Sequence, residues 1–364
     1  MNLPSVNRRQ MALYVFFVPF VFKVVMLPGY LARGAGRDAW LSVALLLAIE
    51  LAELALILLI HRAGGLSAFR EKAGAVLSNI VLVPLLFAFG AKTIVYLSEA
   101  INYITAYLFY NITNLSVAVI FLVVIGYVAL RGMTAVVRVT ELIAWLLPMI
   151  LVLGLLFGKV HIEPMRLLPV LGDGTRDVFD TSGGHLMWTA NLTPLLFCRV
   201  EKPEGAKKYY VPIAAVLAFG GVTAVYLFFV MNYGASAELI ENAFARLAAF
   251  NVVNTQIGSI DWPAVALWIG MATVTLASKI FASGMIFENA GIRREAGIIV
   301  FLTVVGIVGY LWFNNVEKAY VLGTSVVSYI VIGVTFLSLL VILITLKLKI
   351  TVAEKGGRTI ETVG

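Results

Sequence analysis

The chain is poor in charge, in cysteine and in histidine, and each scarcity excludes something. Only 13% of its 364 residues are Asp, Glu, Lys or Arg, about half of what a soluble domain carries. A water-facing surface for a chain of this size cannot be built from so few charges. There is one cysteine, Cys198, so an internal disulfide is excluded. The three histidines, His61, His161 and His185, are scattered and have no metal-ligand spacing, so no metal is expected. Phosphate-binding glycine loops and cofactor fingerprints are missing, and Ser, His and Asp occur without nucleophile–base spacing. No enzyme and no cofactor are therefore expected.

What the chain has in abundance is apolar surface. Hydrophobic residues make up 61% of it and the mean hydropathy is +0.97. They fall in continuous runs of roughly 20 residues, the length that crosses a hydrocarbon core about 30 Å thick. Alternating apolar and polar positions, the mark of a membrane β-barrel, are not seen. The pattern predicts an all-α integral membrane protein of about ten spans, near 10–31, 39–60, 77–108, 115–130, 133–158, 183–199, 209–231, 262–287, 296–313 and 321–346. The third is too long to stand upright and must tilt or protrude. A single transmembrane domain covers 1–350, followed by a short polar cytoplasmic tail at 351–364, where disorder is expected.

The net charge of +7 does not point to nucleic acid, because the basic residues lie in short connections between spans. With both termini in the cytoplasm, 17 of the 27 Lys and Arg residues fall inside, seven outside and three within spans. That is the sign and size of bias that sets membrane orientation. Two outer connections are long, 159–182 and 232–261. In the second, Ile240, Ala243, Phe244 and Leu247 recur at helical spacing behind Ser236, a candidate N-cap. This predicts a surface helix acting as a lid or brace, or as a docking surface for a partner.

Ten spans divide into five plus five. Inverted repeats of this kind carry discontinuous helices at matching positions, with the solute bound between them. Span one has Pro19 internally and Pro28-Gly29 near its outer end, and span six has Gly183-Gly184, Asn191 and Pro194. Proline removes a ladder hydrogen bond, and the freed carbonyls need a partner, which a solute or ion can supply. Broken helices one and six are expected, with simple proline kinks as the alternative.

A charge at the bilayer centre costs on the order of 3 kcal/mol or more, so each needs a reason. Lys23 is ~20 Å along a helix from Arg9 and ~15 Å from Arg33, too deep for easy snorkelling. It binds a solute carboxylate, replaces a coupling cation with a titratable proton, or pairs with a carboxylate of span two or three. Lys92 and Glu99 share a face of span three with Tyr96 and Tyr103, which suits either a solute path or interhelical pairing. Lys279 in span eight has Thr275 and Ser278 on its side, and snorkelling toward the cytoplasm is one account of it. Glu50 and Glu53 share a face of span two, for pairing with a buried lysine or for a proton relay. Arg138 and Glu141 are spaced for an i,i+3 pair.

The stretches LPGYLARGAGRDAWLSVALL (27–46), VVRVTELIAWLLPMILVL (136–153) and FARLAAFNVVNTQIGSIDWPAVALWIG (244–270) resemble the spore germination proteins, specifically the permease-like B subunit of nutrient germinant receptors, in the amino acid–polyamine–organocation superfamily. The resemblance covers nearly the whole chain. It implies a solute site between spans one, three, six and eight, an amino acid or similar small solute, partner receptor subunits, and residence in the inner, cytoplasmic-type membrane of a bacterial spore. Ligand contacts then fall to Lys23, Tyr96, Glu99 and Asn191, and ion or proton coupling to Lys23, Lys92, Lys279, Thr275 and Ser278. Where such families place a Gly-x-Gly break in span one, this chain has Val21-Phe22-Lys23, and span six has Ala190-Asn191 where small or acidic residues are common. A proton-coupled amino acid transporter and an ion-channel component are the other readings.

Overall fold

The computed structural model describes residues 3–107, 112–144, 162–172, 174–201, 209–243, 247, 261–312 and 315–360. Side chains at 107, 261–264, 312 and 348–360 lie outside this description. The far half of span five and most of the expected surface helix also lie outside it.

The architecture is all-α. Span one is two helices, α1 (Arg8–Val21) and α2 (Leu27–Ala35), separated by a non-helical stretch at 22–26. Asn7 caps α1 through a reciprocal pair with Gln10. Pro28 occupies the first turn of α2, where its missing N–H costs nothing. Helix α3 (Ala39–Arg62) is span two. Helix α4 (Gly65–Tyr107) kinks at Gly74, whose φ of +74° suits glycine. The stretch after the kink is about 50 Å long at 1.5 Å per residue, so span three overshoots the hydrocarbon core as its length predicts. Helices α5 (Asn114–Leu130) and α6 (Met133–Ala144) turn through 114° at Arg131-Gly132.

The second half opens with α7 (Thr175–Gly184), which continues through a 3₁₀ turn at Leu186–Trp188, a non-helical stretch and a second 3₁₀ turn at Thr193–Phe197. Span six therefore begins at 175, not 183. Its first turns, TRDVFD, are polar enough to read as loop in the sequence. Then come α8 (Tyr210–Tyr233), α9 (Asp261–Asn289), α10 (Arg294–Trp312), α11 (Val316–Thr324) and α12 (Val326–Ile360). Span ten is thus interrupted at Ser325, whose ψ of 178° is extended. Helix α12 runs to Ile360, carrying the start of the expected disordered tail as helix; adding a residue to an existing helix is far easier than nucleating one.

Among the described residues, six stretches are individually long and apolar enough to cross a bilayer, and the bent α5–α6 pair passes the same test jointly. Spans one and six are broken into shorter pieces and come in addition to these. Helix α1 packs on α8, and the span-six segments pack on α3. First span on seventh and sixth on second is the exchange that a five-plus-five inverted repeat produces. Strands β1 (Ser5–Asn7) and β2 (Arg199–Glu201) pair in parallel where spans one and six meet the N-terminal face.

In the long outer segment the expected N-cap is corrected, while most of the expected helix lies outside the described residues. Ser236 does not cap a helix; it lies within a 3₁₀ turn, Gly234–Leu239, followed by extended Ile240. The segment braces span one, because the Ala243 N–H donates to the Val25 carbonyl at 2.8 Å.

Candidate functional site

The breaks in spans one and six leave backbone groups without helical partners, and the protein satisfies them itself. In span one, the Val21 carbonyl accepts from Trp268 Nε1 at 2.6 Å and the Lys23 carbonyl from the Tyr226 hydroxyl at 2.6 Å. With Val25 held by Ala243, α8, α9 and the outer segment each close one carbonyl of the break.

In span six, Lys92 Nζ donates to the Thr189 carbonyl and, at 3.1 Å, to the Ala190 carbonyl. The Asn191 N–H donates to Glu50 Oε1 at 3.2 Å and the Leu192 N–H to Glu53 Oε2 at 3.0 Å. Thr193 Oγ1 donates to Glu53 Oε1. The other oxygen of Glu50 receives Lys23 Nζ in an ion pair. A lysine of span one, two glutamates of span two and a lysine of span three thereby knit the two breaks together. Each is 3% exposed or less. Burying four charges is tolerable only because each has an opposite charge or an oriented backbone dipole as partner.

Tyr96 joins this cluster to the opposite end of the core. Its hydroxyl is 2.9 Å from both the Met187 carbonyl and Asn191 Oδ1, so its single proton serves one at a time. Asn191 Nδ2 donates to the Trp188 carbonyl at 3.1 Å. The Tyr96 ring stacks on Phe22 with centroids 4.1 Å apart and planes 9° apart. One turn along α4, Glu99 Oε1 accepts Trp188 Nε1 at 2.9 Å.

Two core charges are left incompletely used. Lys279 Nζ has no hydrogen-bond partner among the described residues and lies 5.1 Å from the Tyr96 ring centroid, a cation–π contact. Glu99 Oε2 has no hydrogen-bond partner among the described residues. Lys279 is fully buried, so it faces the core and does not snorkel.

The expected site residues converge unequally. Lys23, Lys92, Tyr96, Glu99 and Asn191 form one connected core, with Lys279 beside it. Ser278 turns to Tyr14, their oxygens 2.7 Å apart, while Thr275 bonds the Met271 carbonyl of its own helix; neither bonds Lys279. Glu141 accepts from Gln10 Nε2 at 3.3 Å, and Arg138–Glu141 is not among the ion pairs of the described residues. The sequence offers Glu50 and Glu53 as partners for a buried lysine, and Lys23 pairs with Glu50. Their further partners, the N–H groups of the span-six break, leave no side-chain signal.

The family model described as spore germination protein matches residues 5–317. No curated protein matches the chain. Among solved structures it resembles Mhp1, a nucleobase-cation-symport-1 family transporter, in a closed conformation with bromovinylhydantoin bound. The TM-score is 0.53 at 15% identity, over 85% of this chain and 74% of that one. At that identity the likeness speaks for the fold.

Proposed function

The chain belongs to the spore germination protein family, and from that premise we propose that it is a permease-like germinant receptor subunit that binds an amino acid or similar small solute between spans one, three, six and eight. The observation carrying this reading is the buried polar core at the two helix breaks. Its lysines and glutamates join segments from both repeats, so any shift of one repeat against the other must rearrange them.

Solute arrives from the outer face. It engages Tyr96, Glu99 and Asn191, and changes the balance between two packings of the repeats by its different affinity for each. Lys23 and Lys92 act as the joints of that balance. A receptor passes the shift to partner subunits, and both termini lie in the cytoplasm, as the distribution of basic residues supports.

Lys279, buried beside Tyr96 without a hydrogen-bond partner, favours one second reading, a proton-coupled amino acid transporter. Uptake of labelled amino acids into proteoliposomes, with and without an inward proton gradient, separates the two. Saturable binding without accumulation is the receptor outcome. Gradient-driven accumulation would replace it with transport, and the absence of both binding and uptake would remove the solute site.

A further inference from the structure

Glu99 differs from the other core carboxylates. Glu50 and Glu53 use both oxygens, on a lysine, a hydroxyl and two backbone N–H groups. Glu99 uses one, on Trp188, and is 3% exposed. No lysine or arginine of the described residues forms an ion pair with it. Its partner, the Trp188 indole, belongs to an aromatic cluster. The Trp188 ring lies 6.2 Å from Tyr30, 5.5 Å from His185 and 6.2 Å from Tyr320, centroid to centroid. Tyr30 and Tyr320 are 4.2 Å apart.

We propose that Glu99 and the rings of Tyr30, Trp188 and Tyr320 form the recognition site for a small organic ammonium group. The inference rests on the reading that the core binds a solute, and adds the sign of the charge it selects. A carboxylate that lacks a cation inside a span is costly, and an incoming ammonium removes that cost. Aromatic faces attract the same group through their quadrupoles. One of these rings already takes a cation, since the Arg33 guanidinium lies 5.6 Å from the Tyr30 centroid. A carboxylate at this end of the core meets like charge instead. Lys23, the obvious partner for a solute carboxylate, is already paired with Glu50.

Access runs past α11. That short helix carries Tyr320, the least buried of these rings, and Gly323, where an added Cβ would stand 2.8 Å from the Trp188 ring. In this structure the rings touch, so an ammonium enters as α11 swings away.

The test uses the full chain in lipid nanodiscs. Intrinsic tryptophan fluorescence is followed on titration with ethylammonium, L-alanine and propionate. Ethylammonium and L-alanine are expected to give saturable, mutually competitive changes, and propionate none. Glu99→Gln should weaken ammonium binding about tenfold or more, as loss of a buried charge partner does, while Glu99→Asp keeps part of it. Propionate competing as well as ethylammonium, or Glu99→Gln binding ethylammonium unchanged, overturns the proposal and leaves the solute site itself standing. The propionate comparison is made on the unmodified protein, so it decides even where the glutamine variant fails to fold. No response to any probe removes both readings together.

Discussion

Lys23 and Glu50 show how a residue is fixed by what it would leave behind. Removing one partner of a buried pair strands the other and costs about 3–5 kcal/mol in soluble proteins, whereas replacing both is often near neutral. Lys23→Met is therefore expected to lower the thermal midpoint in detergent sharply, and Lys23→Met with Glu50→Gln to recover most of it. Equal midpoints for wild type and the single variant would show that the pair contributes nothing. Lys92 makes a second case: Lys92→Met leaves two carbonyls of span six without a donor, at about 1–3 kcal/mol for each buried unsatisfied group. Its midpoint should fall, and amino acid binding should weaken with it if the break shapes the site. The depth of Lys23 is legible in the sequence, because flanking arginines mark the span's ends. Its partner is legible only as a carboxylate of span two or three; that it is Glu50 and not Glu53 follows from packing, since no periodicity links the two helices.

At the scale of the element, prolines mark where helices restart more reliably than where they break. Pro28 begins α2 and Pro194 begins the 3₁₀ turn after the second break, while Pro19 sits inside α1. The breaks themselves fall at 22–26 and around Ala190, where the sequence offers no glycine or proline. Ala190 adopts a φ of +54°, a conformation costing an L-residue roughly 1–2 kcal/mol. Ala190→Gly should consequently hold or raise the thermal midpoint, and Ala190→Val, bulkier and β-branched, should lower it. A reversed order would mean that the strain is not stored at this position. Gly29 was legible only as part of a Pro-Gly pair. Its function is close approach, since a Cβ there would stand 1.9 Å from the Ile240 carbonyl oxygen. Gly29→Ala must push α2 off the outer brace, and faster proteolysis near residue 240 in membranes is the expected sign.

For the whole molecule, composition and run length made the all-α membrane class readable, because lipid demands both regardless of detail. The five-plus-five division was readable from matching irregularities in spans one and six. The interruption of span ten and the early start of span six were not, since both involve short polar turns that hydropathy averages away. Orientation rests on the excess of basic residues at one face, and it can be checked directly. Cys198 is the only cysteine and is buried, so Cys198→Ser gives a background free of thiols. In that background Glu71→Cys, ahead of the Gly74 kink, and Asp177→Cys, in the first turn of α7, are both exposed positions. With both termini in the cytoplasm, a membrane-impermeant maleimide should label Asp177→Cys in intact cells, and Glu71→Cys only after permeabilisation. The opposite pattern would invert the protein and place the Glu99 end of the core toward the cytoplasm. A solute sensed from outside would then have to cross the charged layer of Lys23, Glu50, Glu53 and Lys92 to reach it.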